Sequence, residues 1–162
     1  MADIAHLRQL LRYDPETGNF YWIVTGRGHA LNAIAGTRHG NGYLRITVAG
    51  ERIFAHRLAW FFARGEMPTD DVDHINGNRS DNRICNLRLA SRYQNLGNTR
   101  ARKTSASGVK GVTFVRKTGR FRAVITVNGK QNHLGYFNTA EEASDAYRSA
   151  AQSAYGEFAR AS

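Results

Sequence analysis

The chain has 162 residues, enough for one ordinary domain or two or three small modules, and its 41% hydrophobic and 10% aromatic content argues for a folded core over wholesale disorder. Lys and Arg number 23 against 13 Asp and Glu, a formal charge of +10 that favours polyanionic partners, either nucleic acid or an anionic membrane surface. No apolar run is long enough for a transmembrane helix, the N-terminus MADIAHLRQLLRYD lacks an apolar signal core, and a single cysteine, Cys85, excludes an internal disulfide or a multi-cysteine zinc cluster, so the expected location is cytoplasmic.

In chain order, Ile4, Leu7, Leu10 and Leu11 share one face of a short helix. The stretch YDPETGNFYWIV reads as a turn feeding a strand. GYLRITVAGERIFAHR alternates about an Ala-Gly-Glu turn and predicts a hairpin. HRLAWFFAR predicts a helix over 56–64 with Leu58, Ala59, Phe61 and Phe62 inward, stopped by Gly65 and Pro68. Trp22 and Trp60 read as core, and Cys85 as a small buried hydrophobe. GNTRARKTSAS, 97 to 107, has no large apolar residue and reads either as a solvated tether or as a basic strap along a phosphate backbone. Beyond it, GVKGVTFV, GRFRAVITVNG and KQNHLGYF form a three-strand meander turned by Asn128-Gly129. Thr139 and Glu142 make a capping box for a helix whose Ala143, Ala146, Tyr147, Ala150 and Ala154 share a face, and Gly156 ends it. Charge follows the same division: residues 1–96 hold 12 basic and 9 acidic side chains, net +3, and residues 97–162 hold 11 and 4, net +7.

The chemistry concentrates in VDHINGNRSDNRICNLRLASRYQN, residues 72–95. Val72 to Ile75 reads as the end of a short strand and INGNRSDN as turn chemistry. Ile84 to Leu89 reads as the returning strand, and Ser91 as the cap of a helix that carries Asn95 one turn on. A hard divalent cation takes oxygen ligands, and magnesium is often held by one or two protein groups with water and phosphate oxygens completing its shell. Asp73 supplies an anionic oxygen and Asn95 a neutral one. His74 beside them is placed to take a proton from an attacking water. Asn86 interrupts an apolar run and reads as a brace for loop backbone near His74. Nothing here suits serine or cysteine nucleophilic catalysis. His6, His29 and His39 stand isolated and read as structural. His56 opens the HRL helix just before the site, and a structural hydrogen bond is the preferred reading over a role in the metal environment.

Residues 56–95 resemble HNH nucleases of the phage homing type, whose site is a ββα-metal fold. The resemblance rests on His56-Arg57-Leu58, Asp73-His74-Ile75-Asn76-Gly77-Asn78, Asp81-Asn82-Arg83, Asn86-Leu87-Arg88 and Asn95. It implies His74 as general base, Asn86 as the loop-orienting asparagine, Asp73 and Asn95 as holders of a magnesium or manganese ion, and His56 and Asn82 as supporting residues. Many relatives have histidine at the last position; asparagine is a variant of the homing subgroup. Residues 108–160 resemble the plant ethylene-response-factor (AP-two) DNA-binding domain through Gly111-Val112, Arg120-Phe121, Leu134-Gly135-Tyr136-Phe137 and the Ala-rich helix up to Tyr155-Gly156. That resemblance implies a sheet laid in the DNA major groove, with His133 where the plant pattern has an aromatic. Strand alternation gives the same face independently: with Phe121, Ala123, Ile125 and Val127 inward, Arg120, Arg122, Val124 and Thr126 point away. The expected DNA-contacting set is Arg100, Arg102, Lys110, Arg120, Arg122, Thr126 and His133.

The expected architecture is therefore α+β. It comprises a small mixed N-terminal subdomain (1–55), a ββα-metal nuclease motif (56–96), a basic linker (97–107) and a three-stranded antiparallel sheet packed on one helix (108–162). The expected function is metal-dependent hydrolysis of phosphodiester bonds in double-stranded DNA by a phage or prophage homing-type endonuclease, acting in the host cytoplasm. The alternative is a catalytically silent DNA-binding regulator on a nuclease scaffold. RNA recognition is disfavoured because alternation puts Phe114 and Phe121 inward, leaving no stacking platform.

Overall fold

The structure, a computed structural model, describes residues 4–98 and 109–159. The chain is mixed α+β, with four α-helices and four small antiparallel sheets among the described residues. Two compact units emerge, residues 1–89 and 90–162. No described helix is long and apolar enough to cross a membrane.

The first unit opens with α1 (Ile4–Leu10), which runs directly into strand β1 (Leu11–Tyr13). The expected turn is the loop of a hairpin between β1 and β2 (Phe20–Trp22), and β3 (Ile34–Ala35) pairs on the far side of β2. Asp14 organises the loop, its carboxylate accepting from the Glu16 N–H at 3.0 Å and the Thr17 hydroxyl at 2.8 Å. A second sheet contains β4 (Thr37–Arg38), β5 (Leu44–Val48) and β6 (Glu51–Phe54), with Ala49 and Gly50 both at positive φ in the two-residue turn of the expected hairpin. Helix α2 (Ala55–Arg64) follows at once and ends at Gly65, whose N–H donates to the Phe61 carbonyl.

Ile46, Leu58, Ala59 and Phe61 are fully buried and join Leu7, Leu11, Phe20 and Val72 in one core, each large side chain contributing about 1.5–3 kcal/mol. Trp22 and Trp60 pack against this core half-buried rather than inside it. Against it lies β7 (Asp71–His74), paired with β8 (Leu87–Ala90).

Two expectations fail here. Residues Ile84–Asn86 form a single 3₁₀ turn before β8 rather than the start of a strand. The Asn86 N–H donates to the Arg83 carbonyl, a pairing that tightens the chain. That turn rotates Cys85 outward, so it is exposed and not a core residue.

In the second unit, Ser91 and Gln94 cap α3 (Arg92–Gly97) reciprocally, the Ser91 N–H donating to the Gln94 side chain and the Gln94 N–H to the Ser91 hydroxyl. Strands β9 (Val112–Val115), β10 (Arg120–Val127) and β11 (Lys130–Phe137) form the expected meander, in spatial order β11-β10-β9. A bulge between Ala123 and Val124 leaves Leu134 unpaired on β11. Helix α4 (Ala140–Tyr155) carries the full Thr139–Glu142 capping box. It buries Ala143, Tyr147 and Ala151; Ala154, expected on that face, is exposed in the last turn of the helix. Phe114 also departs from expectation. It lies across from Phe121, with ring centroids 5.0 Å apart, yet it is 42% exposed.

Gly111 shows how closely this unit is packed. Its φ is +72°, and a Cβ there would meet the Tyr147 ring at 2.3 Å and the Val124 carbonyl oxygen at 2.6 Å. Gly111→Ala is expected to destabilise the unit by about 2 kcal/mol through left-handed strain and overlap with α4. Urea unfolding followed by circular dichroism checks this.

Candidate active site

The loop between β7 and β8 is built almost entirely by asparagine and aspartate side chains. Asn76 Oδ1 accepts from the Asn78 N–H at 2.8 Å, and Asn78 Oδ1 accepts from the Ser80 hydroxyl at 2.8 Å. Asn86 spans the loop from the inside. Its Oδ1 accepts from the Asn76 N–H at 3.0 Å, and its Nδ2 donates to the Asp81 carbonyl at 2.8 Å and to Asn76 Oδ1 at 3.1 Å. The Asn86 carbonyl also accepts from the Ile75 N–H at 2.9 Å. Asn86 is buried, so the carboxamide is where the loop's inward polar groups find their partners. Asp81 closes the outer side through Arg83, at 2.6 Å, and these bonds hold its carboxyl down at about 2.

His74 ends β7 and is 3% exposed. Its Nε2 lies 3.1 Å from Asn82 Oδ1. The ring is walled by Tyr43 at 5.8 Å and His56 at 5.2 Å between centroids, and Arg79 lies over the outer face of Tyr43. Burial pushes the His74 imidazole below its ordinary value, against the opposing pull of the Asn82 hydrogen bond and the Asp73 and Asp81 charges. A neutral imidazole at pH 7 is the form that accepts a proton. His56, the second residue of α2, is also buried, with its ring stacked on Phe54 at 16°. The structural hydrogen bond expected of it does not form at Nδ1, which is buried and has no partner. His39 bonds to Asn41 and His29 stacks on Trp22, both local structural roles.

Asp73 is 6% exposed, and its Oδ2 accepts from Arg88 Nε at 3.1 Å and Nη2 at 3.0 Å. Alternation puts Asp73 across β7 from Val72 and His74, and the strand ends at His74. Of the two expected metal donors, Asp73 belongs to the first unit, while Asn95 stands half-buried on α3 in the second. No group of three His, Cys, Asp or Glu among the described residues is arranged to hold a metal ion. The donor chemistry, a buried carboxylate oxygen, suits a hard cation that keeps most of its shell for water and phosphate. The Arg88 guanidinium already offsets the Asp73 charge, so an ion there competes with that pair.

Sequence reasoning assigned no role to Arg88 or Tyr13. Arg88 alternates with the apolar Leu87 and Leu89, a pattern that marks it as facing away from them, but nothing local names Asp73 as its partner. The Tyr13 hydroxyl donates to the Asn82 carbonyl at 2.7 Å from 69 residues away, a contact without any local signal.

In the second unit, Arg120, Arg122, Thr126 and His133 are exposed, and Lys110 is half-exposed. Arg122 faces Tyr136 across β11, and the Tyr136 ring lies 4.9 Å from that of His133. Arg100 and Arg102 lie outside the described residues.

The HNH endonuclease family model matches residues 54–96, the segment that contains α2, the asparagine loop and all but the last residue of α3. Protein 3.8 of Escherichia phage T7 is 32% identical over 106 residues, covering 65% of this chain and 87% of that protein. An uncharacterized HNH endonuclease of Acanthamoeba polyphaga mimivirus is 34% identical over 106 residues, 64% of this chain and 54% of its own length. An AP2-like ethylene-responsive transcription factor of Arabidopsis thaliana is 46% identical over 52 residues, 32% of this chain but 11% of the plant protein. No solved structure matches the chain. With the family segment falling on the loop that Asn86 braces around His74, and with relatives of this extent in phage and giant virus, the chain belongs to the HNH endonuclease family.

Proposed function

We propose that the protein is a divalent-metal-dependent DNA endonuclease of the homing type, hydrolysing phosphodiester bonds at His74. The observation that carries this reading is the state of that histidine: buried, shifted toward neutrality, held at Nε2, and adjacent in sequence to a buried carboxylate. His74 takes the proton of a water that attacks phosphorus, and the 3′ oxygen leaves. Asn86 keeps the loop backbone fixed while this happens. Asp73 would hold a magnesium or manganese ion, and the family resemblance adds Asn95 as the second donor. Such an ion supplies charge stabilisation at the phosphate. The second unit, whose exposed Arg120, Arg122, Thr126 and His133 share a sheet, delivers the site to double-stranded DNA. The likeness of residues 108–160 to plant DNA-binding domains supports that assignment.

A supercoiled-plasmid assay tests the reading. Nicked or linear product is expected with magnesium and none with EDTA. Binding without cleavage under every metal condition would favour the silent regulator. Arg120→Ala and Arg122→Ala are expected to weaken DNA binding by about 1–3 kcal/mol each if they read base edges, with relaxed sequence preference. Uniform weakening on all sequences with a shallower salt dependence would reassign them to phosphate.

A further inference from the structure

We propose that the β1–β2 hairpin is a positioning element of the active site, with Tyr13 and Gly18 clamping Asn82 and Asn82 setting the His74 ring. The inference rests on the reading of His74 as general base, and it gives the first fifty-five residues a part in the chemistry beyond packing.

Asn82 is 1% exposed, the most deeply buried polar residue among the described residues of the first unit. Its carboxamide Nδ2 donates to the Ser80 carbonyl at 3.3 Å. An amide nitrogen only donates and a carbonyl oxygen only accepts, so this contact settles which way the carboxamide faces. Oδ1 is therefore the atom presented to His74 Nε2 at 3.1 Å, and it accepts. Nε2 then carries the hydrogen, and the basic lone pair sits on Nδ1. One side chain thus sets both the tautomer and the ring orientation, the way partners of histidine ligands and bases do elsewhere.

Asn82 is in turn gripped through its backbone by the hairpin. The Tyr13 hydroxyl donates to the Asn82 carbonyl at 2.7 Å. The direction of that hydroxyl is set by packing, the Tyr13 ring lying 4.9 Å from Phe20 and 6.4 Å from Phe62. On the other side of the loop, Gly18 lies directly against the Asn82–Arg83 peptide: a Cβ at Gly18 would fall 2.5 Å from the Arg83 nitrogen and 2.6 Å from the Asn82 carbonyl carbon. Only glycine permits that approach at its φ of +74°. The Asp14 turn holds Gly18 in place, the Gly18 N–H donating to the Asp14 carbonyl at 2.8 Å.

The test uses the full chain, magnesium, supercoiled plasmid and histidine labelled with ¹⁵N. His74 is assigned by the signal lost in His74→Ala. Wild type is expected to show the Nε2–H tautomer. Tyr13→Phe, which keeps the ring and removes one hydroxyl, is expected to lower kcat about fivefold with KM unchanged. Asn82→Leu is expected to lower it about 10- to 100-fold and to give a mixture of tautomers. Asn82→Asp, which keeps an acceptor facing Nε2 but loses the donor to Ser80 and adds a charge that favours the protonated ring, is expected to keep the Nε2–H tautomer and to move the acid-side fall in kcat to higher pH. A merely structural hairpin would change the folded fraction but not kcat per folded molecule, nor the nitrogen shifts. Unchanged kcat and shifts in Tyr13→Phe and Asn82→Leu, with His74→Ala inactive, would overturn the inference alone. Cleavage by His74→Ala at the wild-type rate would remove the site reading and the inference with it.

Discussion

His74→Ala is expected to slow plasmid cleavage by about 10²–10⁴-fold, equivalent to about 3–5 kcal/mol of barrier, while DNA affinity stays at the wild-type value. The rate falls because the group that takes the proton of the attacking water is gone. The affinity stays because His74 is buried at the end of β7 and hydrogen-bonds Asn82 within the protein. Fluorescence anisotropy on a DNA duplex reads the second half of the claim, and product formation over time reads the first.

The pH dependence of wild type adds a sign. Burial holds the His74 pKa below its usual 6.5, so the basic form persists below that value. The midpoint of the acid-side fall in cleavage is expected to lie below pH 6.5. A midpoint above 6.5 would mean that His74 is solvated or held charged, and a His74→Ala variant that cuts at the wild-type rate across the range would remove it from the mechanism.

Much of this site is written locally. Asn76, Asn78 and Asp81 are turn residues whose side chains bond groups two positions along the chain, so spacing alone predicts a loop. Asn86 stands out because a polar residue between Ile84 and Leu87 needs a reason, and its bonds to Asn76 and Asp81 supply one. The helix at His56 and the capping box at Thr139 follow from period and end signals in the same way.

What escaped was set by distance or by a single turn. Arg88 meets Asp73 fifteen positions away and Tyr13 meets Asn82 across most of the unit. Cys85 reads as apolar between Ile84 and Asn86, but one 3₁₀ turn faces it outward. Phe114 alternates correctly and is nonetheless exposed, because alternation names a face and says nothing about whether a neighbour covers it.

His56 carries the second large effect, on stability. It is buried against Phe54, Tyr43 and His74, and its Nδ1 has no hydrogen-bond partner. Burial first, then the His74 and Arg57 charges, push its pKa from 6.5 down to about 3. The sign follows from proton counting. Between pH 3 and 6.5 the unfolded chain binds a proton at this histidine that the folded chain refuses, so stability rises with pH across that window. The full contribution is present above pH 6.5 and is lost as pH falls, at up to about 1.4 kcal/mol per pH unit, reaching about 2 kcal/mol at pH 5 and about 4–5 kcal/mol at the acid end. The shift at His74 acts in the same direction. Asp14 and Asp81 have lowered pKa values, so their contributions are lost only as pH falls below about 4, and pH 5 isolates the histidines. Urea unfolding of wild type and His56→Leu at pH 7 and pH 5 is the measurement. Leucine fills the site without an unpartnered nitrogen, so it is expected to cost little at pH 7. At pH 5 the variant is expected to exceed wild type by about 2 kcal/mol more than it does at pH 7. Parallel curves for the two proteins would show that His56 titrates alike in the folded and unfolded chains, and would take away the ring that stays neutral at pH 5 beside the proposed base.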